Sequence, residues 1–60
     1  NRILLSEYVS NDETRIARIF HLGKQFEVEL WDLKANTTVR DTFKFEDSAE
    51  REAETFVERY

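Results

Sequence analysis

The chain has 60 residues, 13 acidic and 9 basic side chains for a formal charge of −4, one glycine, and no cysteine, proline or methionine. That length sets a ceiling of one domain, and the missing cysteines exclude a disulfide scaffold and any Cys-ligated zinc or iron–sulfur site. No apolar run exceeds three residues, too short for a membrane span, while 17 of the 60 residues are Val, Ile, Leu or Phe, above the roughly one-fifth below which chains stay disordered. The expectation is a small acidic globular domain in the cytoplasm, with no membrane partner. Its first residue is Asn rather than Met, which points to a trimmed or processed chain, and no signal peptide is visible.

Taken in order, residues 2–9 are apolar-rich and read as a strand, closed by the polar cluster Ser10-Asn11-Asp12-Glu13. Residues 14–22 carry Ile16, Ile19 and Phe20, whose branched and aromatic side chains favour a second strand. The single glycine, Gly23, precedes Lys24 in a spacing that closes a hairpin with a two-residue turn. Residues 25–33 alternate Phe26, Val28 and Leu30 with Glu27 and Glu29, the strongest strand signal in the chain. Lys34-Ala35-Asn36-Thr37 reads as the next turn, and residues 38–45 alternate again through Val39, Phe43 and Phe45. From Asp47 the period changes: Ala49, Ala53, Phe56, Val57 and Tyr60 recur on one helical face, and Asp47-Ser48-Ala49-Glu50 has the form of a capping box. The predicted fold is α+β: one domain over residues 1–60, a four-stranded antiparallel meander with a C-terminal amphipathic helix on one face.

Turn positions predict register. A turn at Gly23-Lys24 makes opposed residue numbers sum to 47, and one centred on Ala35-Asn36 makes them sum to 71. One face then gathers Ala17, Ile19, His21, Phe26, Val28, Leu30, Val39, Phe43 and Phe45, the seat for the helix. The other gathers Ile16, Arg18, Phe20, Glu27, Glu29, Trp31, Leu33, Arg40, Thr42 and Lys44. Its rows would be Phe20–Glu27–Lys44, Arg18–Glu29–Thr42 and Ile16–Trp31–Arg40, with Arg40 in cation–π range of Trp31.

Large apolar and basic side chains on a face the helix does not cover need a role. Ile16, Arg18, Phe20, Trp31, Arg40 and Lys44 are the candidate binding residues. Three readings follow: the N-terminal strand or upstream residues curl over them, they form a homodimer or protein-partner surface that also supplies stability a short chain lacks, or they bind single-stranded DNA by stacking and phosphate contacts. The net negative charge disfavours the last, although much of the acidity sits at Glu46, Asp47, Glu50, Glu52, Glu54 and Glu58, on or beside the predicted helix.

The β-β-β-β-α order over the whole chain resembles the positive cofactor four coactivator and Whirly class of single-stranded DNA-binding proteins, which implies a dimer presenting a curved sheet; the glycine- and lysine-rich loop of the coactivators is missing, so no DNA-binding residue carries over. Ala17-Arg18-Ile19-Phe20, Phe26-Glu27-Val28-Glu29-Leu30 and Asp47-Ser48-Ala49-Glu50, with Ala53-Glu54 and Phe56-Val57, are similar to small uncharacterised proteins of T4-like cyanophages. That resemblance covers roughly the last 45 residues and implies a phage accessory protein, in an infected host cell, with a host or phage protein as partner.

Catalytic chemistry finds little purchase, and no enzyme, cofactor or metal is expected. His21 is the only histidine and reads as a partly exposed strand residue. Glu27 and Glu29 share a face, but basic neighbours there lower carboxylate pKa values and compete with a cation. A phosphate loop lacks its glycines, and Asn36-Thr37-Thr38 reads as turn chemistry rather than a glycosylation site. Asp41 stands out: it falls on the apolar face, opposite Leu30 in the predicted register, and needs the sheet rim or a partner such as Arg15.

Overall fold

A computed structural model describes residues 1–58. Among these, β1 (Arg2–Val9), β2 (Arg15–Leu22), β3 (Gln25–Asp32) and β4 (Thr37–Phe43) form one antiparallel sheet in the order β1-β2-β3-β4, followed by α1 (Glu46–Glu58). The α+β fold with a four-stranded meander and a C-terminal helix agrees with the sequence reading. Tyr60, assigned above to the helical face, lies outside the described residues.

Turn chemistry sets both hairpins. Leu22 pairs with Gln25 around Gly23, whose φ of 62° suits the first position of a two-residue hairpin turn. The β2–β3 register is the predicted one, from Arg15 opposite Asp32 to Leu22 opposite Gln25. The β3–β4 register departs from the prediction by two residues: Phe26 faces Phe43 and Asp32 faces Thr37, so opposed numbers sum to 69. Asp32 supplies the reason. Its Oδ1 accepts hydrogen bonds from the amides of Lys34 (3.1 Å) and Ala35 (3.0 Å), and Asn36 takes a left-handed φ of 59°. The turn therefore centres on Lys34-Ala35. A two-residue slip keeps every side chain on its predicted face but changes its neighbours.

The core lies between the helix and the two central strands. Ile19 and Val28, directly opposed, are fully buried with Ala17, and Leu30 is nearly so. Ala49, Ala53 and Val57 come down on them from α1 at a four-residue spacing. Tyr8, Phe26, Phe43 and Phe56 rim this cluster. Two side chains expected in it are not: Val39, on the outer strand β4, is 51% exposed, and Phe45, beyond the end of β4, is 69% exposed. The helix is also capped two residues earlier than the predicted capping box, which starts at Asp47. The amide of Ala49 donates to the carbonyl of Phe45 at 3.4 Å, which puts the cap at Phe45 and Glu46 and Asp47 in the first turn, where carboxylates suit the helix dipole.

Arg15 anchors the other end of the helix. Its Nη1 donates to the carbonyl of Phe56 at 3.3 Å, its guanidinium lies 5.2 Å from the Phe56 ring centroid, and its Nε is 3.7 Å from Asp32 Oδ2. The last turn of α1 has no basic residue of its own among those described, so a strand supplies the cation that the helix C-terminus favours.

Asp41 therefore does not pair with Arg15. It stands opposite Val28 rather than Leu30, and its partner is Glu52 of α1: burial raises the Glu52 pKa above the usual carboxylate value, and a hydrogen bond and the charge of Asp41 raise it further. A carboxyl with a raised folded-state pKa contributes stability at acidic pH that is lost as pH rises through that value. At neutral pH the two charges repel across the β4–α1 contact. Glu52→Gln should accordingly stabilise the protein at pH 7, by about 0.5 kcal/mol on the scale of surface charge pairs, and by less at pH 4, as read by thermal melts at the two pH values.

Candidate binding face

The sheet side away from α1 carries, across the four strands, Arg2, Glu7, Ile16, Arg18, Phe20, Glu27, Glu29, Trp31, Thr38, Arg40 and Thr42. β1 does not curl over this face; it lies in the sheet beside β2, which removes the reading in which that strand covers Ile16, Phe20 and Trp31. These three side chains are half-buried, held by their neighbours in the rows.

Glu29 is the centre of the face and only 4% exposed. Arg2 reaches it from β1, Nη2 to Oε2 at 2.7 Å, passing over β2 with its guanidinium 4.0 Å from the Phe20 ring centroid. Arg40 reaches it from β4, Nε to Oε2 at 3.2 Å, and Trp31 donates its indole N–H to Oε1 at 3.3 Å. Arg2 Nη2 also sits 2.9 Å from Glu27 Oε1, an ion pair without an aligned hydrogen bond. Arg18 donates to Glu7 Oε2 at 2.7 Å, and its guanidinium lies 5.9 Å from the Trp31 ring centroid.

The shifted register explains which expected contacts changed. Arg40 stands opposite Glu29 and Trp31 opposite Thr38, so the cation over Trp31 is Arg18 rather than Arg40. Lys44 lies past the end of β4 and so forms no row with Phe20 and Glu27; Thr42 faces Glu27 instead. Leu33 likewise lies beyond β3, exposed, its amide bonded to the carbonyl of Thr14 at 2.8 Å. Ile16, Arg18, Phe20, Trp31 and Arg40 are brought together as expected. Arg2 was missed. Its place follows from the β1–β2 pairing, which shifts by one residue at a bulge between Leu4 and Ser6 and cannot be inferred across the loop at residues 10–14.

The face is electrically balanced: three guanidiniums, Arg2, Arg18 and Arg40, against three carboxylates, Glu7, Glu27 and Glu29. Burial alone would push the Glu29 carboxyl up, but hydrogen bonds from Arg2 and Trp31 and the charges of Arg2 and Arg40 outweigh it and hold the pKa below the usual value. The hydrogen bond to Glu29, with the charges of Glu27 and Glu29, raises the Arg2 pKa in turn.

Elsewhere, the loop end of the sheet holds an open cleft of about 550 Å³ lined by Asp12, Thr14, Arg15, Asp32, Lys34 and Ala35. Its carboxylates are already engaged. Asp12 Oδ1 accepts from the hydroxyls of Ser10 and Thr14, both at 2.8 Å, and from the Thr14 amide at 3.1 Å, which lowers its pKa. Asp32 holds its own turn and faces Arg15. His21, half-buried, stacks on Phe26 with ring centroids 4.9 Å apart. Among the described residues no group of His, Cys, Asp and Glu is arranged to hold a metal ion, and no helix is long and apolar enough to cross a membrane. Compared with known proteins, the chain matches no protein-family model, no curated protein and no solved structure.

Because the Glu29 pKa is lowered by folding, its stabilising contribution is complete above the ordinary glutamate value and lost as pH falls through the folded one. Replacing it by Gln keeps a shape that can still accept from Trp31 but gives up two charge-assisted contacts. Glu29→Gln should cost about 2 kcal/mol at pH 7 and make the denaturant midpoint less sensitive to acid below pH 5 than in the parent protein. An unchanged acid limb would show that Glu29 does not carry it.

Proposed function

We propose that this chain is a small non-enzymatic interaction module of phage type, working as a homodimer, that recognises a protein partner of the phage or its host through the open sheet face. The observation that carries the recognition surface is the charge balance of that face. Each guanidinium is matched by a carboxylate within 3.2 Å, and half-buried Ile16, Phe20 and Trp31 fill the rows between. Aromatic and arginine side chains in a neutralised setting are the composition of protein interfaces. The phage origin rests on the local resemblance in sequence, and the homodimer on the small core.

Single-stranded DNA asks for a different surface. Strand binders set stacking aromatics beside cations free to replace phosphate counterions. Here those cations are neutralised within the face, Lys44 stands outside it, and the chain as a whole is acidic. Trp31, the single tryptophan, reports on the difference. Titration with a thymidine oligonucleotide at low salt should leave its fluorescence unquenched up to ~100 µM strand, the weak end of the usual range of non-specific affinities; salt-sensitive quenching would replace the protein-partner reading with the DNA one. For the homodimer, light scattering at a few hundred micromolar should give twice the chain mass, and a strict monomer there would overturn it.

A further inference from the structure

We infer that the second copy is held along the free edge of β1, as an antiparallel β1–β1 pair that extends the two sheets into one of eight strands. The inference rests on the homodimer reading and assigns its contact. The two edges of the sheet differ in kind. β4 alternates polar residues on both faces, with Thr37, Thr38, Arg40, Asp41 and Thr42 against the single aliphatic Val39. β1 instead carries an unbroken apolar run, Ile3-Leu4-Leu5, with Ile3 57% and Leu4 53% exposed, and Val9 is exposed further along. Ile3 stands opposite His21, on the helix side, and Leu4 opposite Phe20, on the open side. An exposed apolar edge strand is a template for pairing with another chain, which natural proteins blunt with lysine, proline or a bulge. β1 contains neither lysine nor proline, and its bulge lies at the end of the apolar run, between Leu4 and Ser6.

The strand is also complementary to itself. The bulge between Leu4 and Ser6 brings Arg2 and Glu7 onto the same face, since their partners Leu22 and Arg18 both project from the open side of β2. In an antiparallel pair whose residue numbers sum to 9, Arg2 of one copy lies across from Glu7 of the other on that face, so the Arg2–Glu29 and Arg18–Glu7 pairs of the two copies stay formed and sit side by side with opposite charges adjacent; Ile3 meets Ser6 on the helix side, and Leu4 meets Leu5 at the two-fold axis. A parallel pair in register would set Arg2 on Arg2 and Glu7 on Glu7. The two-fold axis runs perpendicular to the sheet, so both helices stay on one side and the two open faces become continuous. The dimer contact thus leaves Ile16, Phe20 and Trp31 of both copies free to meet a partner.

The test combines variants with amide hydrogen exchange. Ile3→Lys with Leu5→Lys, both at exposed positions, should leave the circular dichroism spectrum and melting behaviour of a folded monomer and raise the dimer dissociation constant at least tenfold by light scattering. Val39→Lys on the opposite edge, and Phe20→Ala with Trp31→Ala on the open face, should leave dimerisation within twofold. In the unaltered protein, concentrating from ~10 µM to ~500 µM, a range spanning modest affinities, should slow exchange of the outward-facing β1 amides and not those of β4. A dimer that survives the lysines, or that the open-face alanines dissociate, overturns the β1 contact while the homodimer stands. β1 amides protected in a protein that stays monomeric would mean that another segment of the same chain covers the edge, which overturns the contact and the homodimer together.

Discussion

The carboxylate of Glu29 is the contact on which the open side of the sheet depends. It lies on β3, yet it gathers Arg2 from β1 and Arg40 from β4, so one ionised group links three of the four strands. Burying a charge costs several kcal/mol unless it is paired and hydrogen-bonded, and here the cost is offset by two guanidiniums and an indole N–H. Arg2 passes over the Phe20 ring to arrive. Trp31 is tied to the same group through its donor. The arginines stay partly hydrated while the glutamate does not, so the cluster resembles a buried anion with a solvated cationic rim.

The helix side works on different terms. Two alanines and a valine bring α1 close to Ile19 and Val28, so packing there depends on small side chains at fixed spacing more than on large buried volume. The helix covers the central strands chiefly, and the outer strands keep their exposed positions. With a core this thin, two polar contacts of the helix carry weight beyond their number: Arg15 on the Phe56 carbonyl in the last turn, and the opposed carboxyls of Asp41 and mid-helix Glu52, one favourable and one unfavourable at neutral pH.

Much of this was legible in the sequence, and the failures share a cause. Strict alternation from Phe26 to Leu30 fixed β3 and both faces, Gly23 placed the first hairpin, and the four-residue spacing of Ala49, Ala53 and Val57 gave the helix its contact side. The second hairpin slipped by two because its turn is decided by the Asp32 side chain capping two amides, a local competition that a pattern of apolar residues does not express. The slip left the faces intact and moved Arg40 from Trp31 to Glu29. Arg2 stayed hidden because the first loop and the β1 bulge break the arithmetic that relates the first strand to the others. Asp41 was recognised as anomalous, and its partner lay on a helix whose angle across the sheet no periodicity supplies.

Alternation along each strand has one more consequence. Ile16, Phe20 and Trp31 project away from the helix, while the residues between them, Ala17, Ile19, Leu30, build the core. Changes on the open face thus pass no volume change into the packing beneath, while Glu29 and the groups that neutralise it, Arg2, Arg40 and Trp31, are tied together across the strands. One side holds the packed scaffold, and the other carries side chains whose replacement leaves that packing unchanged.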